Sequence, residues 1–261
     1  MAAPYPLALQ LYSVREELKG DWPAVLGAVA EMGYQGVEGA SLISQAPIEE
    51  VKSALDALGL QVASTGGRLT ESGGVASAVE RARGLGTRHL VTGLPKTESE
   101  SLAQVLAYAE ALRPAVAALK AEDLQLCLHN HYWEFDREFE GKTPHAWLMG
   151  EIPDICAELD TYWVQVGGRS AAAVIGAEAG RIPLLHIKDG PITSDKAIGM
   201  TAVGAGKMEW QPIVAAADPG MLRWLVVELD RCDTDMMEAC AQSARFLIDQ
   251  GFAQGRGVDS G

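Results

Sequence analysis

The stretch LCLHNHYWEF, residues 126–135, sets two of the chain's five histidines two positions apart, then adds two large aromatics and a carboxylate. In an extended strand His129 and His131 point to one side. Comparable groups end the other apolar runs. Gln10 and Tyr12 end the first and Glu38 the second. His129, His131 and, just beyond, Glu134 end the fifth. Glu158 and Asp160 end the sixth, His186, Lys188 and Asp189 the seventh, and Glu228, Asp230 and Arg231 the eighth. Neutral imidazole combined with carboxylates suits a divalent ion such as Mn²⁺, Mg²⁺, Co²⁺ or Zn²⁺. One histidine ending one strand is ordinarily a hydrogen-bonded structural residue. Four consecutive runs, each ending in a ligand-type residue, point to a metal centre. Period-two alternation puts Glu158 and Asp160 on one face, and likewise His186 with Lys188 and Glu228 with Asp230. The aromatics Tyr132, Trp133, Tyr162 and Trp163 follow strand ends directly. They read equally as packing or as walls of a sugar-sized pocket. Glu38 and Arg231 fit either a site or a rim salt bridge. His145, in a helical pattern, is expected at the surface. His89 begins a strand, at the end of the fold remote from the chemistry.

The elements that must position these groups alternate along the whole chain. Eight short apolar runs span 6–13, 36–40, 60–66, 88–94, 124–131, 155–160, 182–189 and 223–230. Helical patterns separate them. DWPAVLGAVAEMG carries Asp21 as N-cap, Pro23 in the first turn and Gly33 as stop. Gly59 ends the second helix, Gly84 or Gly86 the third, and Pro114 predicts a kink in the long fourth. Alternation without a break in composition predicts the α/β class and a single (β/α)8 TIM barrel over residues 1–252, with 253–261 a flexible C-terminal tail. Active sites of such barrels form at the C-terminal ends of the strands. A doubly wound open sheet is the rival, but LQLYSVREE after the first run is no glycine-rich phosphate loop.

Composition narrows the partners. The chain has 261 residues, net charge −14 and 48% hydrophobic residues. Nucleic-acid binding needs a basic face, and no Lys/Arg cluster exceeds two residues. No run of 18 apolar residues predicts a membrane span, and MAAPYPLALQLYSV lacks the charged start of a signal peptide. Cys127, Cys156, Cys232 and Cys240 have no metal-finger spacing, and two lie inside apolar runs as reduced core cysteines do. A cytoplasmic monomer or homodimer acting on a small molecule is expected.

Taken in order, LALQLYSVREELKGDW…MGYQGVEGA, LHNHYWEF, AELDTYWVQVGG, RIPLLHIKDG, VGAGKMEW and VVELDRCD resemble the sugar phosphate isomerase/epimerase family. This belongs to the xylose isomerase-like barrel superfamily, with ketose 3-epimerases, inosose dehydratases and AP endonucleases. The resemblance runs from about residue 7 to residue 250. It implies one divalent ion at the ends of strands five to eight, held by His129, Asp160, His186 and Glu228. In the ketose epimerases the strand-five position is a glutamate. Here His129 stands there, with His131 and Glu134 as alternatives, so that one histidine serves the metal and the second faces the substrate. Strand three, VASTGGR, carries Gly66 where relatives often carry a histidine, and Arg68 is the candidate to replace that contact. The AP-endonuclease branch needs further histidines on the early strands. None ends the first three runs here.

The implied mechanism is metal-assisted enolisation of a ketose or keto-sugar through an enediolate. Glu228 or a strand-five histidine, His131 above all, moves the proton. Lys188 and Arg231 stabilise negative charge. Gln10, Tyr12, Glu38, Glu134, Glu158, Trp163 and Arg231 are the expected substrate contacts. Replacing one glutamate of an epimerase by histidine also suits β-elimination, so a lyase or dehydratase acting on a keto-cyclitol or 3-keto-glycoside is the alternative.

Overall fold

The structure is a computed structural model that describes residues 4–67, 69–195 and 197–256. Arg68 lies outside the described residues. Eight strands pair in parallel and in chain order: β1 (Tyr5–Gln10), β2 (Gly36–Glu38), β3 (Gln61–Gly66), β4 (His89–Gly93), β5 (Gln125–His129), β6 (Cys156–Asp160), β7 (Leu184–Ile187) and β8 (Trp224–Val227). β1 pairs with both β8 and β2, which closes the sheet into the expected TIM barrel. A ninth strand, β9 (Ala253–Gln254), was not foreseen. It runs parallel to the start of β1, with Ala253 opposite Tyr5 and Gln254 opposite Pro6. Tyr5 and Pro6 precede the stretch of β1 that pairs with its two neighbours, so their backbone groups need another partner. Residues 253 and 254 therefore belong to the sheet, whereas the sequence reading put them in a tail; 257–261 lie outside the described residues.

Helices connect the strands, and their ends follow local chemistry. Asp21 caps α1 (Trp22–Glu31) by accepting from the Ala24 N–H, with Pro23 in the first turn. Thr143 caps α5 (Pro144–Glu151) in the same way, through Ala146 N. Between them come α2 (Ile48–Ala57), α3 (Gly74–Leu85) and α4 (Leu102–Ala121). α4 runs as one element through Pro114. By length and composition it could cross a membrane. It instead buries Val105, Leu112, Val116 and Leu119 and carries Glu110, Arg113 and Lys120 in ion pairs. A short helix, α6 (Thr161–Val166), begins at the last residue of β6 with no linker between, and the sequence pattern gave no sign of it. It is followed by α7 (Ala171–Glu178), α8 (Trp210–Ala215) and α9 (Met236–Asp249).

The barrel interior is layered by the two-residue period of its strands. Its lower layer is apolar, with Ala8, Ala63, Cys127, Cys156, Leu184, Trp224 and Val226 in one cluster. Gly36 makes room for Trp224: a Cβ there would come within 2.9 Å of the indole. Two residues further along β5 and β6 the same face carries His129 and Glu158. One or two steps beyond that layer, β6 to β8 bring Asp160, His186 and Glu228. Register aligns the groups laterally, with His129 opposite Glu158 and Asp160 opposite His186.

One loop over this end is built around a single carboxylate. Asp189 is fully buried. Its Oδ1 accepts from Gly190 N at 2.8 Å and Met208 N at 3.1 Å, and its Oδ2 from Gly204 N at 2.9 Å and Trp210 Nε1 at 3.0 Å. Replacing Asp189 by Ala strands four donors, at about 1–3 kcal/mol for each one left buried and unmet. Allowing for relaxation, the expected loss is about 3–5 kcal/mol, the range for breaking a buried charged network. Urea denaturation of Asp189→Ala checks this; a loss under about 1 kcal/mol contradicts it.

Candidate metal centre and active site

His129, Asp160, His186 and Glu228 converge, each offering one donor atom, and these atoms lie within 4.8 Å of one another. Two ligands on opposite sides of an ion, at about 2.0–2.6 Å each, are separated by about 4–5 Å. The donor set therefore fits one divalent cation. Asp160 adds a second sign of fit. Its Oδ1 accepts from Trp163 N at 2.8 Å and caps α6, while its buried Oδ2 receives no aligned hydrogen bond and has only the Lys188 ammonium beside it, at 3.2 Å. Lys188, fully buried, sits against the same oxygens, with Nζ 3.2 Å from Asp160 Oδ2, 2.8 Å from Glu228 Oε2 and 2.9 Å from Asp230 Oδ1.

A second layer lies beneath. Glu38 Oε1 accepts from His186 Nε2 at 2.9 Å and from Gln10 Nε2, and its Oε2 accepts from Ser64 Oγ at 2.6 Å. Glu158 Oε2 lies 3.1 Å from His129 Nδ1 and 3.3 Å from His186 Nε2. His186 Nδ1 turns to Glu228 Oε2 at 3.0 Å.

Electrostatics sorts these groups. Burial, and then the charge of His186, pushes His129 down to about 4, so it is a neutral imidazole at pH 7 and suited to a metal. Burial opposes charge on His186, but Glu158 and Glu38 outweigh it and hold His186 well above its usual value. Lys188 is likewise held up by Asp160 and Glu228 against burial. Glu228 sits well below the usual carboxylate range: burial works against this, and Lys188 and His186 prevail. Burial, then Glu158, raises Glu38 to about 7. Burial raises Asp160, offset in part by Lys188. Carboxylates outnumber the cations here, and a divalent ion offsets that excess.

Above the cluster opens a cavity of about 730 Å³, lined among others by Gln10, Tyr12, Glu38, Glu158, Trp163 and Arg231. That volume suits a small-molecule ligand. His131 also lines it, its ring stacked on Trp133 at 4.1 Å and edge-on to His129 at 5.1 Å. Tyr132, Tyr162 and Lys188 complete the sequence-derived set that the cavity gathers. Glu134 is not brought to it: fully buried, it accepts from His131 N at 2.9 Å and so fixes the turn that carries the aromatics. Arg231 reaches the rim, where it donates to Ala197 O at 2.7 Å and to Asp233 Oδ1 at 2.8 Å, tying down the loop after β7. His145, expected at the surface, is buried: its ring stacks on Phe135 at 4.8 Å and its Nε2 meets Glu178 Oε2 at 3.0 Å. His89 stays at the start of β4, with Nδ1 on Ala63 O at 3.2 Å.

Sequence reasoning missed Asn130 and Ser64. Asn130, between the two histidines, faces the neighbouring strand and holds Asp160 by both backbone groups, Asp160 N to Oδ1 at 2.9 Å and Nδ2 to Asp160 O at 3.2 Å. An amide flanked by inward-facing residues was the available signal. Ser64 bonds a residue 26 positions away and left none.

Residues 26–250 match the family described as xylose isomerase-like TIM barrel. The chain belongs to that family. Solved structures of similar shape include a sugar phosphate isomerase/epimerase from Parabacteroides distasonis ATCC 8503, 22% identical with TM-score 0.75, covering 97% of this chain and 96% of that one. An L-ribulose 3-epimerase is 20% identical with TM-score 0.70, covering 95% and 94%. The probable 3-DHS dehydratase AsbF from Bacillus anthracis is 13% identical with TM-score 0.73, covering 93% and 98%. No curated protein matches the chain. At these identities the likeness establishes the barrel, and the family's shared architecture places the ionisable cluster at the end where barrel active sites lie.

Asp160→Asn separates the ligand from the cap. Asparagine caps helices as well as aspartate does, so α6 and the fold persist. Metal affinity, by calorimetry, is expected to fall more than about 100-fold, beyond the range for losing an outer hydrogen-bond partner. Unchanged affinity removes Asp160 from the ligand set.

Proposed function

We propose that the protein is a divalent-metal-dependent sugar isomerase or epimerase that acts on a ketose or keto-sugar through an enediolate. The observation carrying this is the convergence of His129, Asp160, His186 and Glu228, three of which, His129, His186 and Glu228, line an aromatic-walled cavity. These four residues would hold the ion, one of Mn²⁺, Mg²⁺, Co²⁺ or Zn²⁺. When bound, such an ion supplies the Lewis acidity that polarises a carbonyl and its neighbouring hydroxyl.

The chain's own residues supply the rest. Glu228, kept ionised by Lys188, takes the proton from the carbon beside the carbonyl. Lys188 offsets negative charge that develops on the sugar oxygens. His131 presents its ring to the cavity from the strand-five side and returns or relays a proton there. Tyr12 and Arg231 line walls that orient hydroxyls, Gln10, Glu38 and Glu158 border the cavity while engaged with one another or with the imidazoles, and Trp163, 5.5 Å from Lys188 Nζ, excludes water. Glu134 acts through the turn it holds. Four free cysteines fit a reducing compartment, the cytoplasm.

A second reading is favoured by the paired imidazoles of β5 and its following turn. An acid on the leaving-group side suits β-elimination from a keto-cyclitol or 3-keto-glycoside, which makes the enzyme a lyase or dehydratase that uses the same proton abstraction. Both readings share one test. Glu228→Gln keeps the side chain's shape and one acceptor oxygen but removes the base. Exchange in D₂O of the proton beside the carbonyl of ketohexoses and 3-keto-sugars, measured with Mn²⁺ at a concentration that saturates the variant, is expected to fall at least about 10²-fold. Near-normal exchange by the variant assigns the base to another residue, with His131 first.

A further inference from the structure

We infer that Glu158 and Glu38 form a carboxylate layer that selects which nitrogen of each ligand histidine meets the metal, so that His129 coordinates through Nε2 and His186 through Nδ1. This rests on the metal-site reading above and goes beyond it in naming the positioning residues and the tautomers.

Geometry carries the inference. Each imidazole has two nitrogens, and one of them faces the Glu158/Glu38 pair; the other nitrogen of His186 meets Glu228, itself a proposed ligand, so a cation there takes the place of the proton shared between them. His129 Nδ1 meets Glu158 Oε2 at 3.1 Å. His186 Nε2 meets Glu38 Oε1 at 2.9 Å and Glu158 Oε2 at 3.3 Å. The opposite nitrogen of His186, Nδ1, lies 3.0 Å from Glu228 Oε2 and 4.0 Å from Asp160 Oδ2, on the side where the other donors gather. A ring nitrogen that donates its proton to a carboxylate leaves the other nitrogen with a lone pair for a cation, and such outer carboxylates fix ring orientation and raise basicity. One oxygen, Glu158 Oε2, serves both rings. The two rings stand edge to face at 4.7 Å, and His129 and Glu158 sit opposite each other in register.

Glu38 is itself held, whereas Glu158 engages the rings through Oε2 and its Oε1 has no hydrogen-bond partner among the described residues. Gln10 and Ser64 donate to the two oxygens of Glu38, and both glutamates are buried, at 3% and 1% exposure. Glu38, Glu158 and His186 also come within 4.8 Å of one another and so resemble a second cation site. The saturation of Glu38 by Ser64, Gln10 and His186 argues for a hydrogen-bond acceptor instead. A second ion is therefore an outcome that the experiment must separate.

Two measurements on the full chain test this, both with Zn²⁺ as the probe. Long-range ¹H–¹⁵N spectra of zinc-loaded protein carrying ¹⁵N-histidine report which ring nitrogen is protonated. The expected result is a proton on Nδ1 of His129 and on Nε2 of His186. The reverse assignment at either ring overturns the inference and needs no variant. Zinc titration then compares wild type, Glu158→Ala and Glu158→Gln, with cooperative melting of the metal-free proteins as the control for folding. Glu158→Ala is expected to weaken zinc by about 10–100-fold. Glu158→Gln, which keeps an acceptor oxygen, recovers part of that loss. Unchanged affinity in both variants, or two zinc ions per chain, overturns the inference while leaving a metal enzyme standing. Wild-type protein that binds no zinc, Mn²⁺ or Co²⁺ overturns the metal reading as well.

Discussion

Ionisable side chains buried inside a barrel survive only as a mutually compensated set, and the rest of this structure is arranged around that requirement. Lys188 Nζ lies within 3.2 Å of three carboxylates, and His186 bridges Glu228 on one side to Glu38 on the other. Removing one partner of such a pair leaves a buried charge uncompensated, at about 3–5 kcal/mol. The apolar layer below, from Ala8 to Trp224, supplies burial without a polar demand of its own. Strand register does the remaining work. Neighbouring parallel strands set His129 beside Glu158 and Asp160 beside His186, so complementary groups meet without any loop having to fold correctly first.

The same register explains why so much was legible in the sequence. A parallel barrel assigns each apolar run a strand, each strand an inward face, and each inward face an end. A residue type at a run's end therefore becomes a place in space. The run ends supplied the candidates, the family resemblance singled out His129, Asp160, His186 and Glu228 among them, and these four do converge. The helix stops at Gly33, Gly59 and Gly86 were equally local, since each takes a positive φ, at 102°, 62° and 72°.

What escaped was information with no local trace. His186 and Glu38 bond across 148 positions of sequence, and nothing near either residue announces the other. α6 hid because its cap is also the last residue of a strand, where a turn signal is normally sought. His145 sits in a helix of ordinary appearance, and its burial depends on Phe135 and Glu178 from other elements. β9 is a two-residue strand whose existence depends on Tyr5 and Pro6 lying before the paired part of β1. The His186–Glu38 bond, the burial of His145 and the pairing of β9 are tertiary effects, whereas α6 is a local helix whose cap was read only as a strand end.

Asp160 holds two offices at once. One oxygen anchors the first turn of α6, the other faces the ligand cluster, and Tyr162 and Trp163 stand on the turn so anchored. The position of a clustered donor and the shape of the pocket wall thus hang on a single side chain. Diversification of this protein, by drift or by design, is correspondingly lopsided: exposed rim positions such as Tyr12 and Ile198 can change the pocket's mouth, whereas its inner wall changes only together with the buried cluster.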